Sequence, residues 1–378
     1  MAPRILYVVT EDWYFLSHRL PMARAAKAAG YEVHVVTRIK HGEAAIAREG
    51  FVPHALDWSR GSLSPVGSFS AIIALRRLIG ELKPDIQHNV SLKPVLLGTT
   101  ASLGMPATAV VNSLTGLGTL FIGEARVSGL TRKAVRFVLA RLLRRGRSRT
   151  VVQNPEDRTF VLGLGVPPET VLLIPGSGVD TETLTPLPEP PPPVTAAYVG
   201  RMLADKGVLT LIDAFSRVTK RGIPLQLLLA GDCDKENPGS LAPEQLREFA
   251  TLYGIHWLGH VADNRKVWSR AHFAVLASRR EGLPKSLLEA AACGRPMIAT
   301  DTPGCREIAI RDETALTFPV DNAEALAEAL TRMAGDAEMR ARFGKNARAL
   351  VEAKFSAEAI GMDTVALYRS LVPPNRRA

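Results

Sequence analysis

The chain reads as α/β, with two doubly wound, Rossmann-like domains facing a cleft, and three observations lead there. A length of 378 residues is enough for two domains that each bury a core of their own. Short apolar runs of strand length (Ile5–Val9, Val33–Thr37, Thr108–Val111, Leu225–Ala230, Ala274–Ala277) alternate with helical stretches, as in parallel sheets covered on both faces. Between Pro186 and Pro193 the sequence P-L-P-E-P-P-P-P is a stiff polyproline-type segment, suited to a domain boundary. The expected division is residues 1–185, a linker at 186–194, and residues 195–355.

The most informative stretch is Ala274 to Glu307. An apolar strand leads into a turn with Gly282, and Pro284 stands where a first helical residue belongs. Helix formers Leu287–Ala292 follow, Gly294 and Pro296 stop the helix, and Met297–Thr300 reads as the next strand. Ligands of such βαβ units sit at the carboxyl ends of the strands. Glu281 lies in that loop, and Glu289 lies about 7.5 Å along the helix axis if the helix starts at Pro284. First-turn amides suit a phosphate, one carboxylate can accept from sugar hydroxyls and the other from a ribose. The bland alternative is that Ser286 and Glu289 form a capping box and Glu281 is a solvated acid.

At the start of the second domain the strand Ala197–Val199 runs into Gly200-Arg201, and Lys206-Gly207 precede a helix from Val208. Both cations point at the same crevice, Arg201 as a fork for phosphate oxygens and Lys206 as a point charge. Asp232-Cys233-Asp234 has the form of a metal-binding D-x-D, but no third carboxylate with metal spacing accompanies it. Asn322–Leu350 reads as helical, with Glu324, Glu328, Arg332 and Arg340 as exposed charges.

Taken together, Glu281 and Glu289 in an E-G-L-P context, the trailing Pro303-Gly304-Cys305-Arg306-Glu307 and the Gly200–Gly207 pattern G-R-x-x-x-x-K-G resemble family 4 of the retaining glycosyltransferases. That resemblance implies the GT-B fold, with the last helix, about 356–378, crossing back onto the first domain. It implies donor contacts from Arg201, Lys206, Val261, Glu281, Gly282, Leu283, Pro284, Lys285, Ser286, Leu287 and Glu289. Of these, Arg201 and Lys206 stabilise the leaving diphosphate, Glu281 holds the donor sugar, Glu289 holds the ribose and Val261 lies against the nucleobase. No metal or other cofactor is expected, and UDP is the expected nucleotide. Ser17-His18-Arg19, Ser91–Pro94, Leu114–Gly118 and Asp234–Pro238 are similar to a bacterial branch acting on undecaprenyl-diphosphate-linked sugars. Acceptor contacts are then expected from His18, Arg19, Lys93 and Thr115. Many relatives carry histidine where Thr115 stands, so no catalytic base is assigned. Two rivals are a sugar-nucleotide epimerase or phosphorylase on the same fold, and a non-catalytic membrane-bound scaffold.

The formal net charge is +10, and residues 1–180 account for most of it, with 22 Lys and Arg against 13 Asp and Glu. Leu130–Thr150 carries Arg132, Lys133, Arg136, Arg141, Arg144, Arg145, Arg147 and Arg149 with no acid, while Val135, Val138, Leu139 and Leu142 fall on a core-facing stripe. Next to the apolar, Gly-rich loop around Leu120-Phe121-Ile122, this favours docking on an anionic membrane surface over a merely solvated face. No nucleic-acid-binding motif accompanies the charge. The uncharged stretch between Lys93 and Glu124 is broken by Gly and Pro, against a membrane span. Three cysteines are too few and too scattered for a disulfide framework or a zinc site, and the first apolar run is too short for a signal peptide. The expected place is the cytoplasm, peripheral on the inner face of the membrane. His88 is expected to be structural, hydrogen-bonded near a strand end.

Overall fold

The computed structural model describes residues 2–58, 65–116 and 129–372. It divides into two units, residues 1–177 with 357–378, and residues 178–356. The boundary thus falls at Ser177–Gly178, ahead of the proline-rich stretch.

In the first unit the strands are β1 (Arg4–Glu11), β2 (Glu32–Arg38), β3 (Val52–Ala55), β4 (Ile86–Val90), β5 (Ala109–Leu114), β6 (Ser148–Val152) and β7 (Val171–Leu173). They form one sheet in the order β3-β2-β1-β4-β5-β6-β7, every pair parallel. β1, β4 and β5 are nearly continuous apolar or neutral runs because helices cover both faces. The helix Ala357–Leu371 belongs to this unit and packs on the helix Leu20–Ala28, so closely that a Cβ on Gly361 would stand 2.9 Å from that of Ala25.

The strands of the second unit are β8 (Val194–Val199), β9 (Leu225–Ala230), β10 (His256–Gly259), β11 (Phe273–Leu276), β12 (Met297–Thr300) and β13 (Ala315–Phe318). Their order is β10-β9-β8-β11-β12-β13, again all parallel. Strand order reverses between β8 and β11, and ligands of open α/β sheets bind outside the carboxyl ends at such a switch point. The helix Val208–Lys220 seals one face with Leu211, Ile212, Phe215 and Val218.

Four sequence expectations are corrected. Residues 186–193 do not form a free linker. Leu187 N–H donates to Cys293 O at 3.0 Å, Arg295 donates to Leu187 O and Pro188 O, and Arg340 to the Glu189 carboxylate. The segment is a strap on the second unit, because two arginines capture its proline-flanked carbonyls and its one acid. Arg340 is therefore buried, at 6 % exposure, rather than a surface charge. Its helix is also a separate one: Asp336 ends the helix Ala323–Gly335 and caps Ala337–Lys354 by accepting from Met339 N–H at 2.7 Å. Finally, Glu11–Arg19, which the sequence reads as the loop between the first strand and the first helix, holds a short helix, Asp12–His18.

That helix is pinned by its first residue. Asp12 Oδ2 accepts from the amides of Lys40, His41 and Gly42 at 2.7, 2.9 and 2.7 Å. Burial alone would raise the Asp12 carboxyl, but bonds from Gly42, Lys40, His41 and Trp13 N–H outweigh it and hold it below the ordinary range. Asp12→Ala should destabilise the first unit by about 1–3 kcal/mol in urea unfolding, since three amides lose their acceptor. Because the folded value is depressed, the wild-type advantage is complete above the unfolded carboxyl pKa of about 3.9 and is lost as pH falls through the lower folded value.

Candidate active site

Most of the residues expected to hold a donor gather at the β8–β11 switch point. After β8, the tight turn Ala204–Lys206 ends at Gly207, which has φ +70° and on which a Cβ would stand 1.9 Å from Ala277 O. Only glycine lets this turn press against the end of β11. Lys206 is thereby delivered to Glu281, its Nζ donating to both carboxylate oxygens at 2.6 and 2.8 Å. Ser278 Oγ and Arg279 N–H both donate to Asp205 O, joining the two loops. Gly304 (φ +78°) does for the trailing P-G motif what Gly207 does for the first turn: a Cβ there would meet Gly282 O at 2.5 Å and Glu281 O at 2.6 Å.

Arg201 follows the same strand end, where Tyr198 Oη donates to its carbonyl and its Nη1 donates to Asp234 at 2.7 Å. The Tyr198 hydroxyl is pushed up chiefly by burial, with the Glu281 charge adding and the Arg201 charge opposing, so both charges lie within electrostatic reach of it. Cys305 lies buried beneath the same loops, its thiol raised by burial and by Glu281 to about 12, which leaves it inert as a nucleophile.

The helix runs Lys285–Ala292 with Pro284 at its N-cap and no side-chain cap. Ser286 is inside the helix, so the capping-box alternative for Glu289 is excluded. Glu289 is instead buried at 8 % exposure, accepting from Asn264 Nδ2 at 2.8 Å with Lys285 Nζ 3.4 Å away. The Leu287 side chain belongs to the core, and its amide donates to Pro284 O at 3.1 Å. Gly282 and Pro284 are buried, Leu283 packs on the core, and Val261 is half-buried just beyond β10. Asn264 belongs to no motif, and Asp234, read from the sequence as part of a D-x-D and of Asp234–Pro238, pairs with Arg201 instead; sequence reasoning missed both as partners of Glu289 and Arg201.

In the first unit the expected acceptor residues follow the carboxyl ends of β1, β4 and β5. His18 stacks on Tyr14 at 4.4 Å and its Nδ1 shares a hydrogen bond with Ser17 Oγ at 2.6 Å. Lys93 is half-buried 6.0 Å over the Trp58 ring, its ammonium pKa lowered by burial and by Arg38. Thr115 Oγ1 pairs with Ser91 Oγ at 2.9 Å, and Ser91 itself sits at φ +77°, a strained conformation for serine. Arg19 is different: at 2 % exposure it is inside the unit, not on its surface. Leu117, Gly118 and Leu120–Ile122 lie outside the described residues. His88 is structural as expected, bonded to Tyr368 Oη and Ser113 Oγ. Among the described residues no group of three metal-ligating side chains occurs.

The helix Gly129–Leu143 buries Leu139, Ala140, Leu142 and Leu143. Val138, expected in the core, is exposed, and Phe137 beside it is 71 % exposed. The stripe shifts by one residue because the helix seats only its C-terminal half on the sheet. Lys133, Arg136, Arg141 and Arg144 are exposed, while Arg132 and Arg149 are half-buried. Arg145 is structural, donating to Ser102 Oγ at 2.7 Å and Met105 O at 3.0 Å.

Residues 4–145 match the family model described as Glycosyl transferase 4-like, and residues 193–336 match Glycosyl transferases group 1. Over 358 residues the chain is 24 % identical to the N,N'-diacetylbacillosaminyl-diphospho-undecaprenol alpha-1,3-N-acetylgalactosaminyltransferase of Campylobacter jejuni, covering 88 % of this chain and 92 % of that one. It is 27 % identical over 175 residues to the capsular polysaccharide biosynthesis glycosyltransferase CapM of Staphylococcus aureus, a match spanning 46 % of each chain. Among solved structures it is similar to sucrose-phosphate synthase from Thermosynechococcus elongatus, with TM-score 0.80, 22 % identity and 98 and 99 % of the two chains covered. Anabaena HepE in complex with UDP gives TM-score 0.78 at 17 % identity over 97 and 100 % of the chains.

Proposed function

Because the chain is a glycosyltransferase with the GT-B fold, built of a glycosyl transferase 4-like and a group 1 domain, we propose that it moves a hexose or N-acetylhexosamine from a UDP-linked donor, with retention of configuration, onto a lipid-diphosphate-linked saccharide in surface polysaccharide assembly. The observation that carries this reading is the Lys206–Glu281 pair at the β8–β11 switch point, with Arg201 on the same strand end and buried Glu289 one helix turn away. The acceptor class is supported by the diphospho-undecaprenol named for the Campylobacter relative, and the nucleotide by the UDP named for HepE.

As the anomeric bond breaks, negative charge develops on the departing diphosphate. Arg201 and Lys206 meet it with two positive charges, so no divalent cation or other cofactor is needed in this reading. Glu281, already oriented by Lys206, accepts from the donor sugar's hydroxyls and favours oxocarbenium character, and Glu289 takes the ribose. With Thr115 where a histidine is common, the departing phosphate takes the acceptor's proton and attack comes from the face it leaves. Incubation with UDP-sugars and a polyprenyl-diphosphate-linked sugar should extend the lipid-linked saccharide. Turnover of donor at the same rate without acceptor would instead favour an epimerase.

The acceptor's lipid requires a membrane surface, which we place on the helix Gly129–Leu143 at the inner face of the cytoplasmic membrane. Exposed Phe137 and Val138 among Lys133, Arg136, Arg141 and Arg144 support interfacial seating with basic residues at the headgroups. Among the described residues no helix is long and apolar enough to cross a membrane. Converting those four basic residues to Gln should weaken binding to anionic vesicles about a thousandfold, at about 1 kcal/mol each, and leave thermal unfolding unchanged. Unaltered co-sedimentation would reduce this face to a solvated one.

A further inference from the structure

The stretch Asp234–Ser240, D-K-E-N-P-G-S, follows the carboxyl end of β9 and folds as two consecutive turns. Asn237 N–H donates to Asp234 O at 2.8 Å, and Ser240 N–H donates to Asn237 O at 3.0 Å. Each residue type suits its place. Asp and Asn open such turns, and Pro238 presets the backbone at the second position of the second one. Asn237 Oδ1 also accepts from Gly239 N–H at 2.9 Å. The double turn brings the chain back on itself, so that Asp234 N–H meets Ser240 Oγ at 2.8 Å.

This loop is fastened to the segment that carries both cations of the donor site. Met202 N–H donates to Asp232 O at 3.0 Å, Leu241 N–H to Met202 O at 2.9 Å, and Ala204 N–H to Gly239 O at 2.8 Å. Ala204 opens the turn that ends in Lys206, so the loop braces that turn. Its hold on Arg201 runs through a side chain. The Asp234 carboxylate is 14 % exposed and accepts from Nη1 at 2.7 Å, whereas the Arg201 side chain is 40 % exposed. Among the described residues that is the only hydrogen bond of the guanidinium, which leaves the rest of its five N–H donors for other acceptors. A pair of two mobile surface side chains is worth little, because ordering both offsets their attraction. Here the carboxylate is already fixed by its loop, and only the arginine has to be ordered.

We propose that Asp234 is a positioning residue that holds the Arg201 guanidinium in place for the donor's diphosphate, an assignment that rests on the donor site proposed above. One carboxylate oxygen takes one nitrogen, and the remaining donors fork onto phosphate oxygens. Carboxylate and diphosphate therefore share the guanidinium and do not compete for it. The gain is preorganisation: an arginine ordered beforehand loses less freedom when the diphosphate binds. The Asp234 charge opposes that of the diphosphate, but it acts from the far side of the guanidinium and solvent reaching Arg201 screens it.

The test is calorimetric titration of UDP into the wild type, Asp234→Ala, Asp234→Asn, Arg201→Ala and the Arg201→Ala/Asp234→Ala double variant, with thermal unfolding of each without ligand. Asp234→Ala should weaken UDP binding about tenfold, the effect of having to order one long side chain on binding. Asp234→Asn keeps an acceptor oxygen for Nη1 and should recover much of that loss. In the Arg201→Ala background Asp234→Ala should weaken binding no further, since Asp234 acts through Arg201. The unliganded Tm should stay close to wild type, because the bonds to Met202, Ala204 and Ser240 do not use the Asp234 side chain. Should Asp234→Ala unfold, Asp234→Asn in the two backgrounds carries the comparison. Tighter or equal UDP binding in Asp234→Ala, no recovery in Asp234→Asn, or an equal loss in both backgrounds would overturn the proposal and leave the donor site standing. No UDP binding by the wild type, or wild-type affinity in Arg201→Ala, would overturn the donor site and the proposal together.

Discussion

Lys206→Ala and Arg201→Ala should each lower kcat/KM for sugar transfer by about 10²–10³-fold, the usual effect of removing one group that stabilises developing negative charge. The effect should be larger at Lys206. Its loss also strips Glu281 of the contact that fixes both carboxylate oxygens, at 2.6 and 2.8 Å, so the donor sugar loses an oriented partner as well. Arg201 is more exposed and is bonded to Asp234 rather than to either glutamate of the E-x₇-E motif. Lys206→Arg should recover little, since a planar fork does not reproduce a point charge in this turn. Near wild-type turnover in both alanine variants, measured by steady-state kinetics, would place the diphosphate elsewhere.

Glu281→Gln and Glu289→Gln should fail in different ways, because only the group at the anomeric centre changes charge in the transition state. Glu281→Gln should lower kcat by about 10²-fold or more with little change in donor KM. Glu289→Gln should leave kcat nearly intact and weaken UDP and UDP-sugar alike, by about tenfold for one charge-assisted bond. The helix begins after Pro284, so Glu289 has no capping role through which a glutamine could restore it. Equal UDP affinity in wild type and Glu289→Gln, by calorimetric titration, would leave Glu289 as no more than Asn264's partner.

Much of the second unit was legible because local signals agreed. Apolar runs of four residues, Pro284, Gly294 and the spacing of Glu281 and Glu289 each report on one βαβ unit, and the structure forms that unit at a switch point. What escaped depends on partners distant in sequence. Proline content says that residues 186–193 are stiff, but not that Arg295 and Arg340 will hold their carbonyls and Glu189 against the second unit. The period of the basic helix fits Val138 on either face, and only the seating of its C-terminal half on the sheet decides it. In Ser17-His18-Arg19 nothing local reveals that Ala357–Leu371 returns to cover the guanidinium and closes a hydrogen-bond chain through Tyr368. Asp234 and Asn264 bear on Arg201 and Glu289 through the fold alone.

The most direct test of the donor site is thermal unfolding of wild type and Lys206→Ala with increasing UDP and UDP-sugars. At 100 times its dissociation constant a donor should stabilise the wild type by about 2.7 kcal/mol, while the same concentration leaves Lys206→Ala almost unshifted. An equal rise in Tm in both proteins, or no rise in the wild type with any nucleotide sugar, would contradict a diphosphate site at the β8–β11 switch point.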